Sequence, residues 1–446
     1  MKLWEKDKIT MDEVMTFTVG NDPQFDKLLA PYDVVGSLAH AIMLIETGLI
    51  SGNDGKLLIK ELVDYYAVTK NADFTLNPED EDIHSHLENY LIKKTGDAGK
   101  KIHTARSRND QVMIAIQLMM KEEWRLIIEG VGILFNALTS QAEKYKSTLI
   151  PGYTHTQVAM PSSIGLWLGA YAESLINDMI LSGAIIKMID QNPLGSAAGY
   201  GSSFPIDREK TRELAGFSEL LVSSVSVQLN RGKMEASMAF GLSSFASTMA
   251  RLASDMILFT NQNFNFISFP DELTTGSSIM PHKKNPDVLE LIRAHCNVVN
   301  QLPNQLINLT TNLNSGYHRD FQLSKELLFP GIDKIKQCLR MLTLMVSNMI
   351  PREGILDDEK YTYIFSVEEV NRKVMDGLSF RDAYREVVDE IERGTYKANR
   401  NTTYSHIGSI GNPGIEKIKN KMEKVKSSIN IQSIDFVFNK MKDYLK

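Results

Sequence analysis

Apolar residues recur at intervals of three and four along most of this chain, the spacing of one face of an α-helix. Val112, Ile116, Met119, Met120, Leu126, Ile127, Ile133, Leu134 and Leu138 recur on such a face, and no proline occurs between Pro78 and Pro151. The pattern predicts one long helix over 110–145 and further long helical segments over 161–190, 233–260, 286–311 and 330–349. Alternating strand patterns joined by Asn-Gly or Asp-Gly turns are absent from the sequence. Several helices of about 25 residues predict an all-α fold built as a long bundle. The segment at 233–260 is rich in Ala, Ser and Gly and poor in Lys and Glu. Small side chains let helices approach closely, so this helix is expected to be buried on several faces, partly by subunit association.

Two changes of texture suggest domain limits. Near Gly99-Lys100 short amphipathic pieces give way to the long helices, and after Pro351-Arg352-Glu353-Gly354 the helices shorten again. The expected division is an N-terminal helical domain over 1–100, a central long-helix domain with the active-site loops over 101–350, and a small C-terminal helical domain over 351–446. In the last, 365–375 and 380–391 read as short amphipathic helices, 408–414 as a loop, and the remainder as a charged helix.

Composition narrows the class. The chain has 446 residues, 43% hydrophobic and 23% charged, ordinary for a globular protein. A net charge of −6 gives no electrostatic reason to expect nucleic acid. Cys296 and Cys338 make neither a disulfide framework nor a metal cluster. The first ten residues, MKLWEKDKIT, lack the apolar region of a signal peptide. No apolar run approaches the roughly 20 residues of a membrane span. A cytoplasmic protein with no membrane partner, metal or cofactor is expected.

The chemistry concentrates in polar clusters between the helices. From Gly276 to Asp287, ten of twelve residues are polar, Gly or Pro. The run starts flexible, offers the hydroxyls of Ser277 and Ser278 and the ammonium groups of Lys283 and Lys284, and reaches Asn285-Pro286, a good N-cap and first-turn pair. Such a loop can close over an anionic ligand. His103 to Gln111 places Arg106 and Arg108 with Ser107 and Asn109 just before a helix, more cationic forks than capping requires. In Pro151 to Gln157, His155 lies between hydroxyl residues, including Thr154, and can titrate near neutrality. Asn192 to Ser203 is a Gly- and Ser-rich loop that can approach a ligand closely; it lacks the Gly-Lys-Ser/Thr ending of a phosphate loop. Glu290 stands three residues before Arg293, a spacing that also permits a simple intrahelical ion pair. Tyr317, Gln322 and Lys325 offer ligand hydrogen bonds or simply begin a polar helix. Together these residues suggest acid–base chemistry on a small polyanionic substrate, with His155 as the base if physical chemistry alone decides.

These segments, in this order, resemble the fumarase/aspartase superfamily and, within it, the argininosuccinate lyase and delta-crystallin family. The superfamily signature Gly-Ser-Ser-x-x-Pro-x-Lys-x-Asn is present from Gly276 to Asn285. The finer match rests on HTARSRNDQ at 103–111, PGYTHTQ at 151–157, PLGSAAG at 193–199, FPIDRE at 204–209, LELIR ending at Arg293, and YHRDFQLSKE at 317–326. Phe25-Asp26-Lys27, Tyr32-Asp33, Glu81-Asp82-Ile83-His84 and Phe380 to Ala383 also fit. The resemblance implies a three-domain fold whose long helices form a homotetrameric bundle, each active site being built from three subunits. It implies anti elimination of argininosuccinate to arginine and fumarate. It moves the base to Ser277, with Lys283 stabilising the carbanion, His155 on the acid side and Glu290 pairing with that histidine. Asn109, Thr154, Tyr317, Gln322 and Lys325 match substrate-binding positions, and Ser107, Arg108 and Asn285 match motif positions with substrate or loop roles.

The chain departs from the family pattern twice. Asp22 stands where the family often has Ser, four residues before Asp26, and Gln228 to Glu235 replaces the usual Asn-Ser-x-Asp and Arg-Asp segment. Arg231 or Lys233 is a candidate for the anion contact, and these changes leave open an N-acylated argininosuccinate as substrate. The other readings are a superfamily lyase acting on adenylosuccinate or aspartate, and an inactive crystallin-like homologue.

Overall fold

A computed structural model describes residues 12–76, 80, 82–400 and 403–444. Glu81 and the first ten residues, both used in the sequence reading, lie outside them. The chain opens with α1 (Asp12–Val19), α2 (Asp22–Glu46), α3 (Gly52–Thr69), α4 (Ile83–Thr95) and the single turn α5 (Asp97–Lys100). Next come α6 (Arg108–Lys144), a hairpin of β1 (Leu149–Thr154) and β2 (Gln157–Ser163), and α7 (Ile164–Ile189). A looped stretch holds β3 (Gln191–Asn192), α8 (Arg208–Leu214), β4 (Glu219–Leu220) and α9 (Ser224–Asn230), and leads to α10 (Lys233–Thr260). Then follow β5 (Ile267–Ser268), β6 (Thr275–Gly276), β7 (Lys284–Asn285), α11 (Asp287–Val299), α12 (Leu302–Thr310) and α13 (Ser324–Ser347). The chain ends with β8 (Ile350–Pro351), α14 (Ser366–Met375), α15 (Phe380–Glu392), α16 (Ile415–Ser427) and α17 (Ile434–Lys442).

The long helices α6, α7, α10, α11 and α13 pack side by side as the expected bundle. One apolar core runs through them from Leu29 to Met441, while Val370, Ala383 and Val387 form a separate cluster between α14 and α15. Within the chain, the small residues of α10 allow the close helix packing expected of them. A Cβ on Gly241 would lie 2.4 Å from the Trp124 ring and 2.5 Å from Ile185 Cδ1, so α10 touches both α6 and α7 where glycine leaves room.

Several elements differ from the sequence pattern, each for a physical reason. The 286–311 segment is two helices, because Pro303 withholds an N–H and crowds the preceding turn. The 161–190 helix starts only at Ile164, and the residues before it form β2, antiparallel to β1. The hairpin turns at His155 and Thr156, with φ of 51° and 60°, so ordinary side chains occupy positions that usually carry Asn-Gly. The short pieces expected near the N-terminus include the 25-residue α2. By length and composition α2 could cross a bilayer, yet 83% of its most apolar window is buried in the core.

Candidate active site

The start of α6 organises the site. Ser107 is its N-cap, and a capping box closes when Asp110 Oδ1 accepts Ser107 N–H at 3.0 Å. The other Asp110 oxygen accepts Gly195 N–H at 3.0 Å and Ala197 N–H at 2.8 Å. This buried carboxylate therefore fastens the 103–111 segment to the Gly-rich loop, and Asn109 adds a bond from Nδ2 to Ala198 O at 3.2 Å. Burial pushes the Asp110 carboxyl up to about 6, although the amide bonds and Arg106 pull the other way. Arg106 is buried and donates to Ser37 on α2 at 2.9 Å, so this fork holds helices together rather than facing ligand.

Beside it lies a cleft of about 220 Å³. Five of the anticipated binding residues meet there: Arg108, Asn109, Tyr317, Gln322 and Lys325. Lys325, only 3% exposed, donates to Asp26 Oδ1 at 2.6 Å and lies 2.7 Å from Asp22 Oδ1. Asp26 Oδ2 also accepts Ile83 N–H at 3.3 Å. Burial pushes the Asp22 carboxyl up to about 6; Lys325 opposes this and the neighbouring Asp26 adds to it. Arg108 pairs with Asp82 at 3.2 Å and donates to Ser85. His84 is buried with Nδ1 3.0 Å from Asp33 Oδ1. Its burial favours the neutral ring, but Asp33, Asp82 and Asp26 outweigh that and raise its pKa. Gln322 donates to Thr18 O at 3.1 Å and Val19 O at 3.0 Å, which ties the turn before α13 to the α1–α2 junction. Arg231 lies with its guanidinium 5.4 Å from the Tyr317 ring centre and 5.5 Å from that of Phe321.

The remaining candidates do not line this cleft: Ser107 caps α6 beside it, and the others lie on the β1–β2 tip, the β6–β7 loop and α11. Thr154 and His155 are exposed at the β1–β2 tip. Ser277 and Lys283 sit on the loop that β6 and β7 close through the pairs Thr275–Asn285 and Gly276–Lys284. Within that loop Ser277 Oγ accepts N–H from Ile279 at 3.3 Å and Met280 at 3.1 Å. Lys284 pairs with Asp271, and Thr275 donates to Asp287. Asn285 does not cap a helix as its sequence position suggested. Strand pairing keeps it extended, and Pro286 is the N-cap of α11, without a side-chain cap bond. Glu290 is exposed on the first turn of α11.

The sequence reading gave no functional role to four cleft residues, Asp26, Asp82, His84 and Arg319. Their signal was present in the Phe-Asp and Asp-Ile-His motifs, but only the fold shows that these acids answer Lys325 and Arg108.

Residues 10–300 match the family model described as Lyase. The argininosuccinate lyase of Parabacteroides distasonis is 49% identical over 434 residues, covering 97% of this chain and 97% of that protein. The argininosuccinate lyase of Phocaeicola vulgatus is 48% identical with the same coverage. Among solved structures, EDDS lyase in complex with formate superposes with a TM-score of 0.76 at 21% identity, covering 97% of this chain and 94% of that one. The fold is thus that of a fumarase-like all-α lyase, and near-complete coverage by relatives of such identity places the chain in the argininosuccinate lyase family.

Proposed function

We propose that the protein cleaves argininosuccinate to arginine and fumarate by anti elimination, as a step of arginine biosynthesis. The observation that carries the reading is the environment of Ser277. A serine hydroxyl is a weak base in water, and an oxygen that already accepts two amide N–H groups is one whose alkoxide is stabilised. Ser277 removes the proton from the succinyl carbon next to a carboxylate. Lys283 stabilises the aci-carboxylate that results. The carbon–nitrogen bond then breaks, its electron pair passes to the guanidinium nitrogen, and His155, paired with Glu290, supplies the proton. Asn109, Thr154, Tyr317, Gln322 and Lys325 bind substrate; Ser107, Arg108 and Asn285 hold the loops and the anion site.

The working form in this reading is a cytoplasmic homotetramer whose sites combine residues from three subunits. Supporting it, Ser277 and His155 stand apart from the cationic cleft within one chain, and Ile180, Phe240, Leu258, Leu291 and Val298 are exposed on the central helices. The free, buried Cys296 and Cys338 suit a reducing compartment. The test is fumarate absorbance with argininosuccinate, adenylosuccinate and aspartate in parallel, with light scattering for assembly. Ser277→Ala is expected to lower turnover by several powers of ten while the assembly persists. Fumarate release from adenylosuccinate or aspartate but not argininosuccinate would replace the substrate, and near-normal turnover of Ser277→Ala would remove it as base.

A further inference from the structure

The Gly-rich loop at 193–199 reads in sequence as a segment that meets a ligand through its backbone, yet its amides are directed inward. Leu194 donates its N–H to Asn192 Oδ1 at 3.1 Å, Gly195 and Ala197 donate to Asp110 Oδ2, and Gly199 and Gly201 donate to Ser196 O at 3.0 and 2.9 Å. No residue of the loop lines the cleft. What the loop gives the cleft is one carbonyl: Ala198 O accepts the side-chain amide of Asn109 at 3.2 Å, and Asn109 does line the cleft. Two side chains fix the loop that carries this carbonyl. Asp110 binds it through its amides. Arg208, the first residue of α8, binds it through a carbonyl: Nε donates to Leu194 O at 3.1 Å, while Nη1 donates to Val222 O at 2.9 Å and Nη2 to Leu221 O at 2.8 Å. The arginine stem also occupies the space beside residue 195, where a Cβ would lie 2.7 Å from Arg208 Cγ, and Gly195 has a φ of 87°. Ala197 is held at a φ of 52°, which a side-chain-bearing residue keeps only where its surroundings impose it.

We propose that Asp110 and Arg208 are positioning residues, which together hold the Gly-rich loop in the conformation that sets the Asn109 side chain for substrate. The proposal rests on the lyase reading above, in which Asn109 binds substrate, and adds the pair that orients it. Neither Asp110 nor Arg208 lines the cleft, so both act through Asn109 and touch no reacting atom. The segments at 107–110, 193–199 and 204–209, far apart in sequence, thereby work as one unit: an acid for the loop's amides, the loop itself, and a guanidinium for its carbonyl. In Asp110→Asn one carboxylate oxygen becomes an NH2 group, so a donor faces either Ser107 N–H or the Gly195 and Ala197 amides, whichever way the side chain turns. Arg208→Gln removes the guanidinium bonds, and Arg208→Lys keeps the stem and the charge.

The test measures fumarate release from argininosuccinate. Asp110→Asn and Arg208→Gln are each expected to raise KM about tenfold with kcat within about threefold, the loss of one binding hydrogen bond. Arg208→Lys is expected to recover part of that loss. In an Asn109→Ala background the same substitutions are expected to change KM by less than about twofold, because the group they position is gone. Effects that stay near tenfold in that background bypass Asn109 and overturn the proposal. Hydrogen exchange of the 194–201 amides follows the loop without the reaction. Protection is expected to fall by about tenfold or more in Asp110→Asn and Arg208→Gln. Unchanged protection in both variants overturns the proposal as well. A wild type that releases no fumarate, with exchange responding as expected, sinks the lyase reading and keeps the clamp on the loop. Normal fumarate release with a KM indifferent to both substitutions does the reverse. Should Asp110→Asn fail to fold, Arg208→Gln and Arg208→Lys carry both measurements.

Discussion

Replacing Lys325 by Met removes one ammonium and strands two carboxylates. The ammonium lies 2.6 Å from Asp26 and 2.7 Å from Asp22, and all three side chains are at most 17% exposed. At an effective dielectric of ~20 each contact is worth roughly 6 kcal/mol of Coulomb attraction. Most of that offsets desolvation, so the expected net loss on removing the shared partner is about 3–5 kcal/mol. The loss should depend on pH in a defined sense. Without Lys325 the folded Asp22 carboxyl loses a contact that holds its pKa down. A group raised in this way contributes stability below its unfolded pKa and loses it as pH rises through the folded one. Asp22 already stands at about 6 with Lys325 opposing the shift, so removal moves it further up. The deficit of Lys325→Met is therefore largest at pH 8 and narrows towards pH 5. Urea unfolding followed by circular dichroism, at one protein concentration and several pH values, measures it. A deficit below about 1 kcal/mol at pH 8, well under the range expected for a broken buried pair, would refute the reasoning. So would a deficit that stays constant down to pH 5.

His155→Asn should slow turnover strongly with little change in the unfolding midpoint, since the ring is exposed at a hairpin tip; an unaffected rate returns it to a structural role. Gly241→Ala should cost about 1–3 kcal/mol by overpacking, despite alanine's better helix propensity, because Trp124 and Ile185 already fill the space; a stabilised variant in thermal melts would show the interface is looser than it looks. Activity should survive a chelator, as no group of three His, Cys, Asp or Glu side chains is placed to hold a metal among the described residues; loss restored by added metal would contradict that.

The long helices were readable because their apolar period is uninterrupted and their ends carry local signals. Helix α10 runs over the span its pattern predicted, started by Gly232 at φ 79° with Glu235 bonding back to it. The pattern failed where tertiary contacts decide. Asp26, Asp33, Ser37 and His40 break the apolar stripe of α2, yet all are buried beside partners far along the chain. Proline 303 divided a helix whose hydrophobic spacing continues through it. For the site, motifs identified the residues but not their grouping. No spacing in sequence says that Lys325 lies against Asp22 and Asp26, or that Arg231 turns into the same cleft as Tyr317, because those contacts cross some 80 to 300 residues of chain.

The polar groups inside α2 also set an order of events. Asp33 waits for Gln111, Ser37 for Arg106, and His40, whose burial drives its pKa down to about 3, donates Nε2–H to Thr104 O. These partners lie 64 to 78 residues further on, and the partner of Asp26 lies 299 residues away. A chain synthesised from its N-terminus thus carries an apolar helix whose polar groups are answered in stages: Asp33 by His84 and Asp26 by the Ile83 amide of α4, Ser37 and His40 by the segment leading into α6, and the countercharge of Asp26 only with α13. The ligand cleft is therefore the last part of this helix's surroundings to be supplied, and a chain that stops short of Lys325 lacks the ammonium that answers Asp26 and Asp22.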